Sequence, residues 1–434
     1  MQNDCFPDSL SDWEKVPVSA LAEQNPRYRV KKGVEYPFVE MASVAENFGG
    51  ILKIDSRRME GSGLSRFKVK DTLFAKITPC PENGKVAFVS SLPATVGLGS
   101  TEFIVLSPRD ETDPRYLYHL VCSHSVRGRA TARMEGSTGR QRVPGDVFDR
   151  HLLVPKPVKD EQIAIAHVLD AVDSAIDRAV RAVANAMELN KALIQDFFYS
   201  ALGVTAYADR PTQKLPTGWA LAPTETLLAT EPKNGVSPKT SSQPPGVPTF
   251  SIAAIRDGRV DLTTRENLKY ADVNEKVADK YRLEKGDVLI VRGNANPDLV
   301  GKAGRIAEFP EGCIYPDITK RVVFRHEGEN VVTPDYAVLA WNHPVVHNQV
   351  LRRAKTSNGT LKINNRDVKQ IVMPVPHPSA QEQIVAMTKA VESKIDAISS
   401  KVMALEQLKK SLMHDLLTGT MRVDLKLFKE LKES

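Results

Sequence analysis

The sequence predicts an α+β fold: two globular mixed α/β domains separated by two long helices that form an antiparallel coiled coil, arranged as a pseudo-twofold internal repeat. Three observations carry this reading. A stretch from about Val158 to Leu202 repeats apolar residues at coiled-coil spacing, a second copy of it lies near the C-terminus, and the segments leading into both copies also correspond. In the first copy the seam runs through Ile165, Leu169, Val172, Ile176, Ala179, Val183, Ala186, Asn190, Leu193 and Phe197. In the second, the same spacing gives Ile384, Thr388, Val391, Ile395, Ile398, Val402, Leu405, Lys409, Leu412 and Leu416. Steps of four and three make a stripe narrower than the apolar face of a core helix.

The lead-in DVFDRHLLVPKPVKDEQI (Asp146 to Ile163) matches DVKQIVMPVPHPSAQEQI (Asp367 to Ile384) without a gap. Pro155 and Pro157 then fall on Pro376 and Pro378, and Glu161-Gln162-Ile163 falls on Glu382-Gln383-Ile384, two residues out of step with the helix seam. Both copies end alike, with Asp196-Phe197-Phe198 opposite Asp415-Leu416-Leu417 and Gly203 or Gly419 just beyond. A helix of roughly 40 residues is a rod about 60 Å long. Two equivalent copies in one chain close on each other through a twofold-like relation, which runs them antiparallel.

At 434 residues, 41% hydrophobic and 26% charged, the chain is an ordinary globular sequence of two or three domains. It has no apolar run near 18 residues and its N-terminus, MQNDCFPDSLSDW, carries neither a basic start nor an apolar stretch; a cytoplasmic protein is expected. Cys5, Cys80, Cys122 and Cys313 form no C-x-x-C pair, which argues against zinc and against a disulfide framework. The net charge of +6 is too mild to declare a nucleic-acid partner, so the distribution of charge must decide.

Each globular part begins alike, LSDWEKVPVSALAEQ and LPTGWALAPTETLLAT, aligning Trp13 with Trp219. Asn234 to Pro248 reads as a loop, TFSIAAI as a strand ending in the turn Asp257-Gly258, and YPFVEMASVAENFGG as the first part's counterpart. A strand with a charged onset follows in both, Lys70 to Ile77 and Lys285 to Arg292, then the steps Gly84-Lys85 and Gly301-Lys302. Thr112 to Val143 reads as a helix leaving into a glycine-rich loop, and Thr333 to Ile363 repeats that shape.

Positive charge gathers on these globular parts, whereas the first long helix is acidic. Arg127, Arg129, Arg133, Arg140 and Arg142 face one acid, Glu135; the second part offers Arg352, Arg353, Lys355, Lys362 and Arg366. Phosphates call for ammonium and guanidinium groups, base edges for forked or amide side chains, and small residues let the backbone approach. The expected DNA-contacting set is therefore Arg57, Lys76, Arg127, Arg129, Arg133, Ser137, Thr138, Arg140 and Arg142 in the first part. In the second it is Arg292, Asn294, Asn296, Lys302, Arg352, Arg353, Lys355, Ser357, Asn358 and Lys362.

Catalytic motifs fall short. Pro79-Cys80 has the dipeptide of a cytosine-5 methyltransferase nucleophile but no glycine-rich cofactor motif before it. Asn296-Pro297-Asp298-Leu299 shares only two residues with the N-P-P-[FY] motif of amino-methyltransferases. Pro316-Asp317 with Lys320 lacks a nuclease's second carboxylate, and Gly301-Lys302-Ala303 lacks the rest of a P-loop. His343 and His347 are expected to cap or pack rather than bind metal.

The alternation of variable globular part and repeated helix, the start at Leu215 to Trp219, the strands DTLFAKITPCPENGK and K-G-D-V-L, and the P-x-P lead-ins ending in E-Q-I together resemble the specificity subunit of type I restriction-modification enzymes. The resemblance covers essentially the whole chain. It implies target recognition domains at 1–155 and 204–375, spacer helices at 156–203 and 376–419, and a tail at 420–434. It further implies a non-catalytic subunit reading a split double-stranded DNA target, with two methyltransferase subunits docked on the helices and ATP-dependent translocase-nuclease subunits joining the complex. No cofactor is expected on this chain; S-adenosylmethionine, ATP and magnesium belong to the partners. Thr388 and Lys409 depart from the pattern by weakening the second seam. Two other readings stand beside it: a bivalent DNA-binding regulator that acts alone, and a self-contained methyltransferase or nuclease.

Overall fold

The structure is a computed structural model that describes residues 4–6, 12–61, 63–137, 139–202, 215–328, 330–357 and 359–433, with only the backbone of 150, 200–202, 357 and 431–433. Gly203, Thr138 and Asn358 lie outside the described residues, as does the side chain of Ser357. The chain divides into two compact units, residues 1–181 with 399–434, and residues 182–398. Each long helix thus contributes one half to each unit.

The first unit contains β1 (Glu14–Pro17), β2 (Ala22–Gln24), β3 (Glu35–Val39), β4 (Asp55–Arg58), β5 (Ser65–Phe67), β6 (Thr72–Ala75), β7 (Val86–Phe88), β8 (Gly97–Gly99) and β9 (Phe103–Pro108). Then come α1 (Pro114–Cys122), α2 (His124–Thr131), α3 (Val147–Arg150), β10 (Leu153–Lys156) and the start of α4 (Lys159–Leu202). Two four-stranded sheets are ordered β2-β9-β6-β7 and β4-β3-β8-β5, while β1 pairs antiparallel with β10. Asp113 caps α1 by accepting from the backbone of Arg115 and Tyr116, and Pro114 occupies its first turn. Phe74, Ile104 and Leu106 of the sheet share one core with Tyr116, Leu117 and Leu120 of α1 and with Ile165 and Leu169 of α4.

The second unit contains β11 (Ala220–Pro223), α5 (Thr224–Leu227), β12 (Lys233–Asn234), β13 (Thr240–Ser241), β14 (Val247–Phe250), β15 (Ile255–Arg256), β16 (Arg259–Val260), β17 (Leu268–Ala271) and α6 (Glu275–Ala278). After these come β18 (Val288–Val291), β19 (Gly293–Asn294), β20 (Ala303–Ile306), β21 (Thr319–Val322), α7 (Pro334–Asn342) and α8 (Pro344–Arg353). It ends with β22 (Lys355–Ser357), β23 (Thr360–Lys362), α9 (Asn365–Lys369), β24 (Val372–Val375) and the first half of α10 (Pro378–Thr418). Its main sheet has six strands in the order β12-β21-β18-β20-β16-β15. The stretch expected as one strand, TFSIAAI, is broken: β14 stops at Phe250, a 3-10 turn spans Ile252–Ala254, and β15 resumes at Ile255. The Asp257-Gly258 turn is a two-residue hairpin with φ of 49° and 76°, the left-handed pair that suits the twist of the flanking strands.

Burial along α4 and α10 follows the expected seam. Ile165, Leu169 and Ala179 are buried, Val172, Ile176, Val183, Leu193 and Phe197 are half-buried, and the positions between them are mostly exposed. On α10, Ile384, Thr388 and Leu416 are buried and Val391, Ile395, Ile398, Val402, Leu405 and Leu412 half-buried. Within the first unit the helices run antiparallel, since Ile165 and Leu169 share a core with Leu416 and Leu417 while Asp173, further along α4, pairs with Lys409, earlier on α10. In the second unit Ile194, Phe197 and Phe198 share a core with Ile384 and Val385. The two polar seam residues of α10 are accommodated: Thr388 donates to the Ile384 carbonyl (2.9 Å), and Lys409 is ion-paired rather than frayed.

The lead-ins align differently from the gapless match of the sequence. In the first unit Gln162, 1% exposed, donates to the carbonyls of Pro157 (2.9 Å) and Glu111 (3.3 Å) and accepts from the Asp113 amide (2.9 Å). In the second, Gln381, 0% exposed, donates to Pro376 (3.0 Å) and Val331 (2.7 Å) and accepts from Thr333 (3.0 Å). Tyr116 donates to the Pro155 carbonyl and Tyr336 to that of Pro374. Pro155 and Pro157 therefore correspond to Pro374 and Pro376, and Gln162 to Gln381. The lead-in keeps the helix register, and the apparent two-residue slip disappears.

One turn further along, the two units differ in sign. Arg115 on α1 forms a forked pair with Asp170 on α4, which also accepts from His119 (2.7 Å). At the matching places Asp335 on α7 meets Lys389 on α10 (2.8 Å). Burial tends to raise the Asp170 carboxyl, but His119 and Arg115 outweigh it and bring it down to about 2.

Two expectations follow. Gln162→Ala or Gln381→Ala strands backbone groups in a buried place, at a cost of roughly 2 to 4 kcal/mol, read as a lower denaturant midpoint; an unchanged midpoint contradicts the clamp. A carboxylate whose folded pKa is depressed stabilises above its ordinary value of 3.8 and loses that contribution as pH falls towards about 2. Asp170→Asn should accordingly melt below the parent protein at pH 7, with the difference closing between about pH 4 and pH 2.

Candidate nucleic-acid interface

In the first unit, β6 runs on to Lys76 and Ile77, and the glycine-rich loop folds back on it as a hairpin. Glu135 and Arg142 exchange both backbone hydrogen bonds (2.9 and 2.8 Å), Val143 donates to Lys76 (2.8 Å) and Thr78 to Gln141 (3.0 Å). Gly136 and Gly139 supply positive φ values of 118° and 82°. Arg140 and Ser137 stand exposed on this hairpin and Lys76 half-buried at its foot. Arg142 is committed to Glu102 through Nε and Nη2, and its guanidinium holds the Glu102 carboxyl below the usual carboxylate range.

The second unit builds the same feature on the same bonds. β18 runs on to Arg292, β19 pairs with β23 so that Gly293 faces Lys362, and Ile363 donates to the Arg292 carbonyl (2.9 Å) just as Val143 does to Lys76. The β22–β23 hairpin turns through Gly359 at φ 73°. A Cβ on Gly293 would stand 2.9 Å from the Lys362 side chain and 3.0 Å from the Leu361 carbonyl, so glycine lets these strands close. Lys355 and Lys362 are exposed, Arg292 pairs with Asp317 (3.1 Å), and Asn294 and Asn296 each accept from the backbone two residues on.

Beneath this hairpin lies a group that sequence reading missed. Lys320 on β21 is 2% exposed and donates to Asn234 and Asn365, 2.6 Å each; burial pushes its ammonium down to about 8. A single lysine inside a strand such as Thr319–Val322 carries no signal of this in sequence. With Asp317 taken by Arg292 and Lys320 by two amides, the Pro316-Asp317-Lys320 fragment holds structure together.

The remaining expected residues lie outside the hairpin strands themselves. Arg127 on α2 donates to the Pro81 and Glu82 carbonyls (3.0 and 2.8 Å) and lies over Phe48, which fixes a loop to the helix. Arg133 donates to Arg129 one turn before it. Arg352 and Arg353 end α8, Lys302 precedes β20, and Arg57 sits on β4 over the Phe38 ring at 4.5 Å. His343 caps α8 and His347 contacts the Val300 carbonyl (2.8 Å); burial lowers His343 to about 4. His119, Asp170 and Asp173 lie close enough to hold a cation, but Arg115 and Lys409 already neutralise the carboxylates. No helix among the described residues is long and apolar enough to cross a membrane.

The chain is thus a duplication of one domain-plus-helix module, each copy carrying a similar basic hairpin at the end of a central strand. No family model matches the chain. It is 23% identical over 335 residues to the type I restriction enzyme EcoKI specificity subunit of Escherichia coli strain K12, covering 74% of this chain and 70% of that one. It is 25% identical over 288 residues to the EcoEI specificity subunit of Escherichia coli, where 64% of this chain covers 44% of that one. Its fold is similar to a solved structure from a study of assembly and conformational transition of the type I R-M system, with a TM-score of 0.60 at 17% identity, covering 96% of this chain and 99% of that one. It is also similar to the type I restriction-modification S subunit from M. genitalium, with a TM-score of 0.55 at 15% identity, covering 95% and 97%. The chain is thus similar, over most of its length, to specificity subunits of type I restriction-modification systems.

The contacts separate two kinds of arginine. Arg127→Ala should lower thermal stability, because two loop carbonyls lose their donor. Arg140→Ala should leave the melting temperature unchanged and weaken DNA binding; the opposite pattern in melting and gel-shift assays contradicts this assignment.

Proposed function

We propose that this chain is the DNA sequence-specificity subunit of a type I restriction-modification complex and reads a bipartite target, one half with each of the domains at 1–155 and 204–375. The observation that carries this is the repeated hairpin: residues 135–142 and 355–362 lead into equivalent backbone bonds, Val143 to the Lys76 carbonyl and Ile363 to that of Arg292. Each presents cations beside a strand end, where Lys76 and Arg140 or Lys355 and Lys362 can meet phosphates while arginine or asparagine side chains reach base edges. The helical segments 156–203 and 376–419 serve as the connection and as the docking surface for two methyltransferase subunits. Val180, Met187, Met403 and Leu408 support that part, being large apolar side chains 47–63% exposed on α4 and α10. The chain itself is non-catalytic, and its partner subunits carry S-adenosylmethionine, ATP and magnesium. Cys80 fits this: burial raises its thiol above the ordinary range, the reverse of an activated nucleophile.

Exchanging residues 1–155 for the equivalent part of a relative should change one half of the sequence methylated by the assembled complex and leave the other intact. Alteration of both halves, or methyl transfer by this chain alone with S-adenosylmethionine, contradicts the proposal.

A further inference from the structure

The hairpins account for only part of the free positive charge on the first unit. Between β2 and β3 the segment Pro26 to Lys31 is irregular, with the Tyr28 amide bonding the Pro26 carbonyl (3.1 Å), Tyr28 and Val30 turned inward and Arg27, Arg29 and Lys31 exposed. The inward face is fastened: the Tyr28 hydroxyl meets Asp71 (3.2 Å) and Ser107 (2.9 Å), Arg66 donates to the Tyr28 carbonyl (2.8 Å), and Val30 packs with Phe38, Met59 and Leu98. Gly33 turns the chain at φ 81°, and its amide bonds the Met59 carbonyl (2.8 Å), which places the end of edge strand β4, Arg57 and Arg58, beside Lys32. Arg57 is held over the Phe38 ring. Six cations therefore stand on a fastened surface. Among the described residues none of the six takes part in an ion pair, whereas Arg115, Arg142 and Arg292 all do. Few acids border the strip: Glu35 stands opposite Arg58 in the β3–β4 register and accepts from Ser56, Asp55 pairs with Lys53, and Glu60 stands exposed.

Like charges held this close repel one another, a cost that an anionic partner removes. Edge strands use charge to prevent sheet-to-sheet aggregation, which explains Arg57 and Arg58 but not the row on the Arg27 segment. We propose that Arg27, Arg29, Lys31, Lys32, Arg57 and Arg58 form a phosphate-binding strip that grips the backbone of duplex DNA without reading its sequence. The inference rests on the reading of the chain as a DNA-specificity subunit and adds the surface by which the first unit holds non-specific duplex.

The test is the salt dependence of DNA binding by the full chain, measured on its target and on random duplex. Arg27→Gln/Arg29→Gln/Lys31→Gln should flatten the log–log salt slope by about three units and weaken both duplexes alike, with the melting temperature and the methylated sequence unchanged. Arg57→Gln/Arg58→Gln, on an ordered strand, should remove about two further units. An unchanged slope against a normal parent slope overturns the strip alone, as does a changed sequence preference. Lost assembly with the methyltransferase subunit at normal DNA affinity also overturns it, marking the strip as a contact for an acidic protein. A parent chain with no salt-dependent DNA binding in any complex overturns the proposed function itself.

Discussion

Each unit hangs on one buried amide. Gln162 and Gln381 lie in the first turn of the long helices, and both carry a side chain whose polar atoms have no access to water. Burying such a group is unfavourable unless its hydrogen bonds are made, and every bond it makes here goes to backbone of the neighbouring domain or lead-in. Rotation of the domain about the helix start would break several of these bonds together. The direction in which the domain presents its hairpin is thereby tied to the helix, a requirement for any protein that reads sites at a set position.

Around this shared clamp the two units diverge by charge. Arg115 opposite Asp170 becomes Asp335 opposite Lys389, while the capped helix start, the Tyr116 or Tyr336 bond to a proline carbonyl and the Gln clamp stay the same. Docking the wrong domain on the wrong helix would set Arg115 against Lys389, or Asp335 against Asp170. Attraction in the correct pairing is modest for groups this exposed, but like charges in the wrong one give selectivity. The reversal lets two copies of one module share a chain without exchanging partners.

Much of this was legible in the sequence because it depends on period and repetition. The seam from Ile165 to Phe197 and its copy follow a helical spacing, and the glycines after each short helix mark loops by residue type, though not that each loop is a hairpin laid on the preceding strand end. The lead-in register was not legible: Pro374-Val375-Pro376 and Pro376-His377-Pro378 overlap, and Gln381-Glu382-Gln383 offers two glutamines, so only the buried hydrogen bonds of Gln381 decide. Partners distant in sequence were equally hidden. Glu102 neutralises Arg142, the Pro81 and Glu82 carbonyls take Arg127, and two asparagines far apart in the chain accept from Lys320. The row at Arg27 was hidden because no repeat marks it and its fastening comes from Arg66, Asp71 and Ser107, distant in sequence.

The central claim is that two equivalent hairpins each contact a different half of one DNA target. A photo-crosslinking side chain placed at Ser137 in one preparation and at Ser357 in another, in the assembled complex on its methylated target sequence, tests this directly. The account predicts crosslinks from Ser137 to one half-site and from Ser357 to the other. Crosslinks from both positions to the same half-site, or from neither to DNA, would contradict it.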